Sequence, residues 1–408
     1  MAQYSFSDYA STENHPQWDK HIERMQPLYS RENDIRTAYE RDYTRILHSL
    51  AYRRLKHKTQ VFFNIDNDHI CTRMEHVQHV ESVSCTIAQY LGLNTDLTRA
   101  IAMGHDLGHS PFGHEGENAL SKMGEKVLLP RFWHEKNSLR MIDALELLSD
   151  VKNNYENLNL TYAVRDGIIS HCGELDENGI RPREEAIDLS TFSTSGQYQA
   201  YTWEGCVVKV SDKIAYIGRD IEDALRLGFI SEEKKKELER LAQKYDVEAI
   251  NTTVLIHKLI SDICANSSPQ DGICLSENHC RMMNEIKMFN GEAIYKNPRF
   301  NAYKGYVDLV LNSLFDTLLT FYAGDETLVE LNREQKVYPH LITDFVSHLS
   351  LYSELCLPEF EEEKQRYRNA KIYGRLETKQ IYGQAIIDYI SGMTDRYAIA
   401  MFEELLRY

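Results

Sequence analysis

Apolar side chains return every three or four positions over most of this chain, the spacing of one face of an α-helix. In residues 73–91 (RMEHVQHVESVSCTIAQYL), Val77, Val80, Val83, Ile87 and Leu91 share such a face, which predicts one helix buried along that stripe. Asn94 or Thr95 then stands where a cap is needed for a helix from Leu97 to Met103. Upstream, Ser30, Asn33 and Asp34 offer caps to a helical stretch carrying Ile35, Ala38, Tyr39, Tyr43, Ile46, Leu47 and Leu50. Further helices are expected over Leu139–Leu148, over Tyr162–Ser170, and over Val207–Leu227 with Gly228 as the stop. Residues 231–245 read as a solvated helix whose Ser231-x-x-Lys234 start lacks the acidic third position of a capping box. The helical pattern continues from Val247 to the end, as in Leu255/Leu259, Val307/Val310/Leu311/Leu314, Ile386/Ile387/Ile390 and Phe402/Leu405/Leu406.

Two stretches interrupt the pattern and a third opens it. Residues 1–30 are polar and irregular, broken by Pro16 and Pro27, and are expected to form an arm rather than part of a core. Gly104, Gly108, Gly113 and Gly116 with Pro111 force tight turns between short helices in GHDLGHSPFGHEGE. Residues 172–203, with Gly173, Gly179, Pro182 and a Ser/Thr/Gly run, are the longest expected loop. No internal repeat and no run of alternating strand positions is visible, so the fold class is all-α. The expected organisation is an N-terminal arm and first helix over 1–40, a catalytic core over 41–230, and a helical C-terminal region over 231–408.

Composition narrows the function classes. The 408 residues are 42% hydrophobic and 26% charged, with a formal charge of -16, which excludes a disordered chain; 20 Gly and 9 Pro exclude a collagen-like one. No stretch approaches the roughly 18 apolar residues of a membrane span, and the N-terminus lacks a signal-peptide pattern, so a cytoplasmic protein with no membrane partner is expected. The 8 cysteines (71, 85, 172, 206, 264, 274, 280, 356) show no C-x-x-C spacing and read as reduced, mostly buried thiols. The acidic balance argues against a general nucleic-acid coat protein. Against it, Arg41, Arg45, Arg53, Arg54, Lys56 and Lys58 concentrate positive charge in one segment, either for an anionic ligand or as a solvated face.

Histidine distribution marks where the chemistry lies, since seven of the 16 (69, 76, 79, 105, 109, 114, 134) fall between His69 and His134, where an even spread would put about three. His105-Asp106 at the end of one helix, His76 on the helix before and Asp212 on a later helix make a mixed N/O set suited to a divalent cation with open positions. Such an ion polarises a phosphoryl oxygen and acidifies water. His109 follows His105 by four residues, and His114 has Glu117 three residues on, a spacing that can fix a tautomer and hold a proton. His134 with Glu135 could repeat it, whereas His69 and His79 read as structural. On VSDKIAYIGRDIEDAL, Asp212, Tyr216 and Asp220 lie along one side of a helix with Lys213 beside the first. Burying two carboxylates without partners costs several kcal/mol each, so that side is expected to face a ligand.

The runs RILHSLAYRRLKHKTQVF, TRMEHVQHVE, GHDLGHSPFGHEGE, TYAVRDGIISHCGE and SDKIAYIGRDIEDAL together resemble the HD-domain deoxynucleoside triphosphate (dNTP) triphosphohydrolases, the family of bacterial dGTPases and their vertebrate SAM-and-HD relative. The resemblance covers roughly residues 40–228. It implies an HD-domain helical core, with His76, His105, Asp106 and Asp212 as ligands of one divalent ion per active site: Mn, Mg, Fe, Co, Ni or Zn. It implies that Arg73 and Lys213 hold triphosphate oxygens, and that His109, His114 and His134 line the α-phosphate. His114 would protonate the departing 5′-oxygen and Glu117 would orient it; Gln60, Tyr216 and Asp220 would surround the deoxyribose. The implied reaction is attack of water at the α-phosphorus, giving deoxynucleoside and inorganic triphosphate from dGTP or other dNTPs.

The chain departs from the pattern of many bacterial members at Glu75 and His79, which flank the first ligand, and at Arg219, where a His is common. Nothing transferable follows residue 228, and no SAM-like domain is expected ahead of the core. The family implies a homo-oligomer, tetramer or hexamer, with allosteric dNTP and single-stranded DNA as further partners. Two other readings stand beside this one: an HD phosphohydrolase for nucleoside monophosphates or an alarmone, and a nucleotide- or single-strand-binding regulator without turnover.

Overall fold

The computed structural model describes residues 5–29, 33–63, 67, 69–171 and 178–407. Ser30 and, in the expected long loop, Cys172 and Gly173 lie outside them. The fold is helical, and among the described residues the only sheet is one antiparallel pair, Leu147–Ser149 with Tyr155–Asn157. Among the described residues no helix is long and apolar enough to cross a membrane. The chain divides into two compact units, each drawn from three stretches: 1–47, 60–106 and 160–301 in the first, 48–59, 107–159 and 302–408 in the second.

In the first unit, the Arg73–Leu91 helix has the predicted bounds and buries Val77, Val80, Val83, Ile87 and Leu91. Asn94 Oδ1 caps the Thr95–Gly104 helix by accepting from Asp96 and Leu97 backbone N–H groups. These two pack with the Tyr162–Ser170 and Trp203–Arg226 helices, and two glycines permit the approach. A Cβ on Gly104 would stand 2.5 Å from Ile168 Cδ1, and one on Gly167 2.4 Å from Ile101 Cδ1. The Glu232–Lys244, Thr252–Asn266 and Glu277–Asn290 helices extend the same core.

Two expectations are corrected here. The N-terminal segment is not a free arm in its described part: Phe6 and Ala10 are buried in the core, Phe6 N–H donates to Leu91 O at 2.9 Å, and its ring meets Trp203 edge-on. Ser11 N–H donates to the buried Glu204 carboxylate, and Ser11 Oγ pairs with His21 and Tyr39. These contacts come from tight turns without a repeating period, so no pattern announces them. The helix expected from Ser30 begins at Ala38 and ends at His48, leaving Ile35 96% exposed and Leu50 in a short separate turn capped by Ser49.

In the second unit, the helix expected over Leu139–Leu148 is instead His134–Arg140, widened into a π-turn over Met141–Leu145 before the first strand. The unit also holds the Gly113–Lys126, Pro339–Tyr352, Lys379–Ser391 and Asp395–Leu405 helices, with Phe300–Thr320 from Ala302 onward. An ion pair of the half-buried Arg140 with the buried Asp388, joined by Tyr373 O–H at 2.7 Å, anchors this unit. Over the whole chain the described cysteines are free thiols; Cys71, Cys206 and Cys264 are buried, but Cys85, Cys274, Cys280 and Cys356 only half-buried, fewer than expected.

Candidate active site

The first group of candidate residues belongs to the first unit. Thr72 Oγ accepts from Glu75 N–H while the Glu75 carboxylate accepts from Thr72 N–H, a capping box that starts the Arg73–Leu91 helix and puts Arg73 and His76 in its first turn. His76 Nε2 lies 2.9 Å from Asp212 Oδ1 on the Trp203–Arg226 helix. His105 Nε2 lies 3.9 Å from the same oxygen and 3.5 Å from Asp106 Oδ1. His105 Nδ1 donates to Ala102 O at 2.6 Å, which fixes the tautomer and leaves Nε2 as the basic nitrogen facing the carboxylates.

Electrostatics follow from burial and pairing. Burial drives the His105 imidazole down to about 4, so it is neutral at pH 7. Burial, the largest single effect, acts the same way on His76, but the hydrogen bond to Asp212 together with the charges of Asp212 and Asp106 outweighs it and raises the imidazole. Burial would raise Asp212; the His76 bond and the neighbouring imidazoles hold it well below the usual carboxylate range instead. Ligand atoms of His76, His105 and Asp212 all fall within 4.8 Å of one another. Two buried imidazole nitrogens and the oxygen of a half-buried carboxylate, all convergent, fit a divalent cation of the borderline class.

Asp106 faces two ways. Its Oδ2 accepts from Arg73 Nη1 at 2.7 Å, and it forms a second ligand-type group with His105 and His171. Arg73, expected to reach a triphosphate, is 2% exposed and holds this carboxylate. His171 was not singled out by sequence: it stands alone in ISHCGE, with no neighbour to signal it. Its Nδ1 donates to Ile168 O at 2.6 Å, and its ring lies 4.9 Å from that of His105, so its Nε2 is set up as His105's is.

Further along the Trp203–Arg226 helix, Asp220 is buried and pushed up to about 7 by desolvation, and Tyr295 O–H donates to it. Tyr295 ends a π-turn, Gly291–Tyr295, and was also missed; a π-turn breaks the 3.6-residue period by which the sequence is read. Tyr216 is half-buried on the same helix, and Gln60 Oε1 is a buried oxygen with no hydrogen-bond partner. Lys213 lines a small pocket with Asn178, Ile180, Cys280, Met283 and Asn284.

The second group belongs to the second unit and sits on the glycine-rich turn. A Cβ on Gly108 would lie 2.0 Å from Ser138 N, and one on Gly116 1.8 Å from Pro111 O, so both positions exclude a side chain. Side chains remote in sequence hold the turn's backbone. Asn137 Nδ2 donates to Gly108 O at 2.7 Å, and the buried Lys58 donates to His109 O and, at 2.9 Å, to Ser391 O. Asp395 Oδ1 accepts from Phe112 N–H at 2.8 Å and Oδ2 from Thr59 N–H at 2.9 Å, while Tyr303 O–H donates to Phe112 O. Phe112 has φ of 65°, a left-handed conformation strained for an aromatic residue, so these contacts over-determine it.

That turn brings His109 and His114 beside His134, the first residue of the His134–Arg140 helix, and beside one carboxylate. His109 and His134 stack with ring centroids 3.8 Å apart, and His114 lies 5.5 and 5.9 Å from them. Glu117 Oε2 is 3.1 Å from His134 Nδ1 and 3.5 Å from His114 Nδ1, so the expected partner of His114 is shared and stands nearer His134. Burial would raise Glu117, but the two imidazoles hold it far below the usual range and ionised. His134 Nδ1 is also 3.5 Å from the buried Glu135.

Comparison with known proteins gives this geometry a family. A model described as "HD domain" matches residues 73–217, which contain His76, His105, Asp106 and Asp212, and one described as "Phosphohydrolase-associated domain" matches 329–404. A protein of Caldanaerobacter subterraneus subsp. tengcongensis is 35% identical over 373 residues, 91% of this chain and 86% of its own. One of Clostridium tetani is 32% identical over 378 residues, 92% of this chain and 87% of its own. One of Desulfatibacillum aliphaticivorans is 31% identical over 376 residues, 91% of this chain and 88% of its own. All three carry the name deoxyguanosinetriphosphate triphosphohydrolase-like protein. With an HD domain and relatives of this similarity along nearly its whole length, the chain belongs to the deoxyguanosinetriphosphate triphosphohydrolase-like family and is a phosphohydrolase.

Proposed function

We propose that this chain is a metal-dependent dNTP triphosphohydrolase, with dGTP the first substrate to test, that breaks the bond between the α-phosphorus and the sugar 5′-oxygen. The observation that carries the reading is the convergence of the buried His76 and His105 with the half-buried Asp212 in a chain of this family. These residues with Asp106 would hold the ion, Mn or Mg first among candidates, which when bound supplies Lewis-acid polarisation of a phosphoryl oxygen and a more acidic water.

The protein's own side chains do the rest. Arg73 and Lys213 stabilise phosphate charge, Arg73 while also bracing Asp106. The Glu117 carboxylate faces His114 Nδ1 at 3.5 Å as its charge partner, leaving Nε2 to carry the proton passed to the 5′-oxygen. His109 and His134 line the α-phosphate, and Gln60, Tyr216 and Asp220 surround the deoxyribose, with Tyr295 fixing the orientation of the Asp220 carboxyl. The protein is expected to work as a cytoplasmic homo-oligomer.

The test is to incubate Mn-loaded protein with each dNTP and identify the products. Deoxynucleoside with inorganic triphosphate supports the reading; nucleoside monophosphate with pyrophosphate, or tight binding without products, overturns it.

A further inference from the structure

The second unit holds a cluster of metal-ligand type made of different residues from the His76 set. His114 and Glu117 stand three residues apart in the first turn of the Gly113–Lys126 helix, so their side chains leave one face, and His134 opens the His134–Arg140 helix. Nδ1 of His114 and of His134 lie 3.5 and 3.1 Å from one oxygen, Glu117 Oε2, and one ligand atom from each of the three residues falls within 4.8 Å of the others. Metal–ligand bonds of about 2.0–2.1 Å in a tetrahedron put neighbouring ligand atoms about 3.3–3.4 Å apart, the middle of that range. A hydrogen bond explains the 3.1 Å contact; at 3.5 Å the His114 contact lies beyond the ordinary N–H···O range, so hydrogen bonding accounts for one arm and not the other. His114 is 73% exposed in its side chain while Glu117 and His134 are largely buried, which leaves the cluster open to an arriving ion on one side.

We infer that His114, Glu117 and His134 form a zinc-type site whose occupation inhibits the enzyme. Two imidazoles and a carboxylate are the set with which zinc keeps a fourth position open. The ion takes the Nδ1 lone pair of His114 and occupies the Glu117 oxygen that would orient it, so the imidazole no longer stands ready as proton donor. The binding half of this inference stands on geometry alone; the inhibitory half rests on the reading of His114 as general acid.

The two halves are tested separately. Metal-free protein is dialysed against Zn²⁺ alone and the bound zinc counted. Wild type is expected to bind at both clusters, and His76→Ala/Asp212→Ala to keep one equivalent. Glu117→Ala, and His114→Ala at an exposed position that does not threaten folding, are each expected to weaken one equivalent about 10-fold or more. Unchanged zinc binding in both of the latter overturns the site. Zn²⁺ added to Mn-loaded wild type is expected to slow turnover about 100-fold or more, the scale of a lost general acid, with Mn retained. Release of Mn in step with inhibition overturns the inhibitory half. Absence of any dNTP hydrolysis by wild type overturns the proposed function, while the zinc count still decides the site.

Discussion

Arg73 and Asp106 show how a residue can serve structure and chemistry together. The guanidinium and the carboxylate are both buried, and their 2.7 Å contact is what makes that burial tolerable. Asp106→Ala is therefore expected to lower stability by roughly 3–5 kcal/mol even in metal-free protein, because it strands a buried cation. Urea unfolding of metal-stripped wild type and variant measures this, and an unchanged midpoint would refute the pairing. His114 is the contrasting case: mostly exposed, it is expected to leave stability within about 0.5 kcal/mol of wild type on His114→Ala, yet to cut turnover about 100- to 10,000-fold with little change in KM. Near-wild-type turnover would remove it as proton donor. That His76, His105 and Asp212 come together was legible in the sequence, because residue type and order signal them jointly. His171 and Tyr295 were not, since each is a single residue brought to its place by tertiary packing.

Elements were legible where local chemistry agrees with period. The Arg73–Leu91 helix carries its own capping box and a clean apolar stripe, and Tyr162–Ser170 lies between turn signals, so both have the expected bounds. Residues 5–21 lacked any period, and Leu147–Ser149 is a strand too short to register as alternation. The glycine-rich turn is the element on which the site depends most, and its shape is imposed from residues far along the chain. Asp395, within the phosphohydrolase-associated match, accepts from the backbone at both Thr59 and Phe112. Asp395→Asn keeps the volume but turns an N–H₂ group toward one of those donors, an unmade hydrogen bond that costs about 1–3 kcal/mol. The expected result is a lower melting temperature and a fall in kcat larger than any change in KM, because His109 and His114 flank the displaced backbone. Thermal unfolding and steady-state kinetics on one preparation read both effects, and a change in melting temperature alone would make Asp395 purely structural.

Across the whole molecule, the charge of -16 describes surfaces, whereas response to acid is set by a few buried groups of opposing sign. His21 is 2% exposed and held down to about 4, by burial first and by His15 second. In the unfolded chain it takes up a proton below about 6.5, in the folded chain only near 4, so the unfolded state binds more protons in between. Stability from this group is full above pH 6.5 and falls as pH drops to 4, by about 3 kcal/mol. His348 in the other unit, also held to about 4 by burial, acts in the same direction. Asp220 works against them: burial pushes it up to about 7, so between pH 3.8 and 7 the folded state binds the extra proton, and its contribution is lost as pH rises through that window. Metal-stripped His21→Gln is thus expected to be less stable than wild type at pH 7 but to lose less on acidification to pH 4.5. Asp220→Asn, freed of the opposing slope, is expected to lose more than wild type over the same interval. Urea midpoints at the two pH values decide it, and equal slopes in all three proteins would show that neither group keeps its unusual protonation in the folded chain.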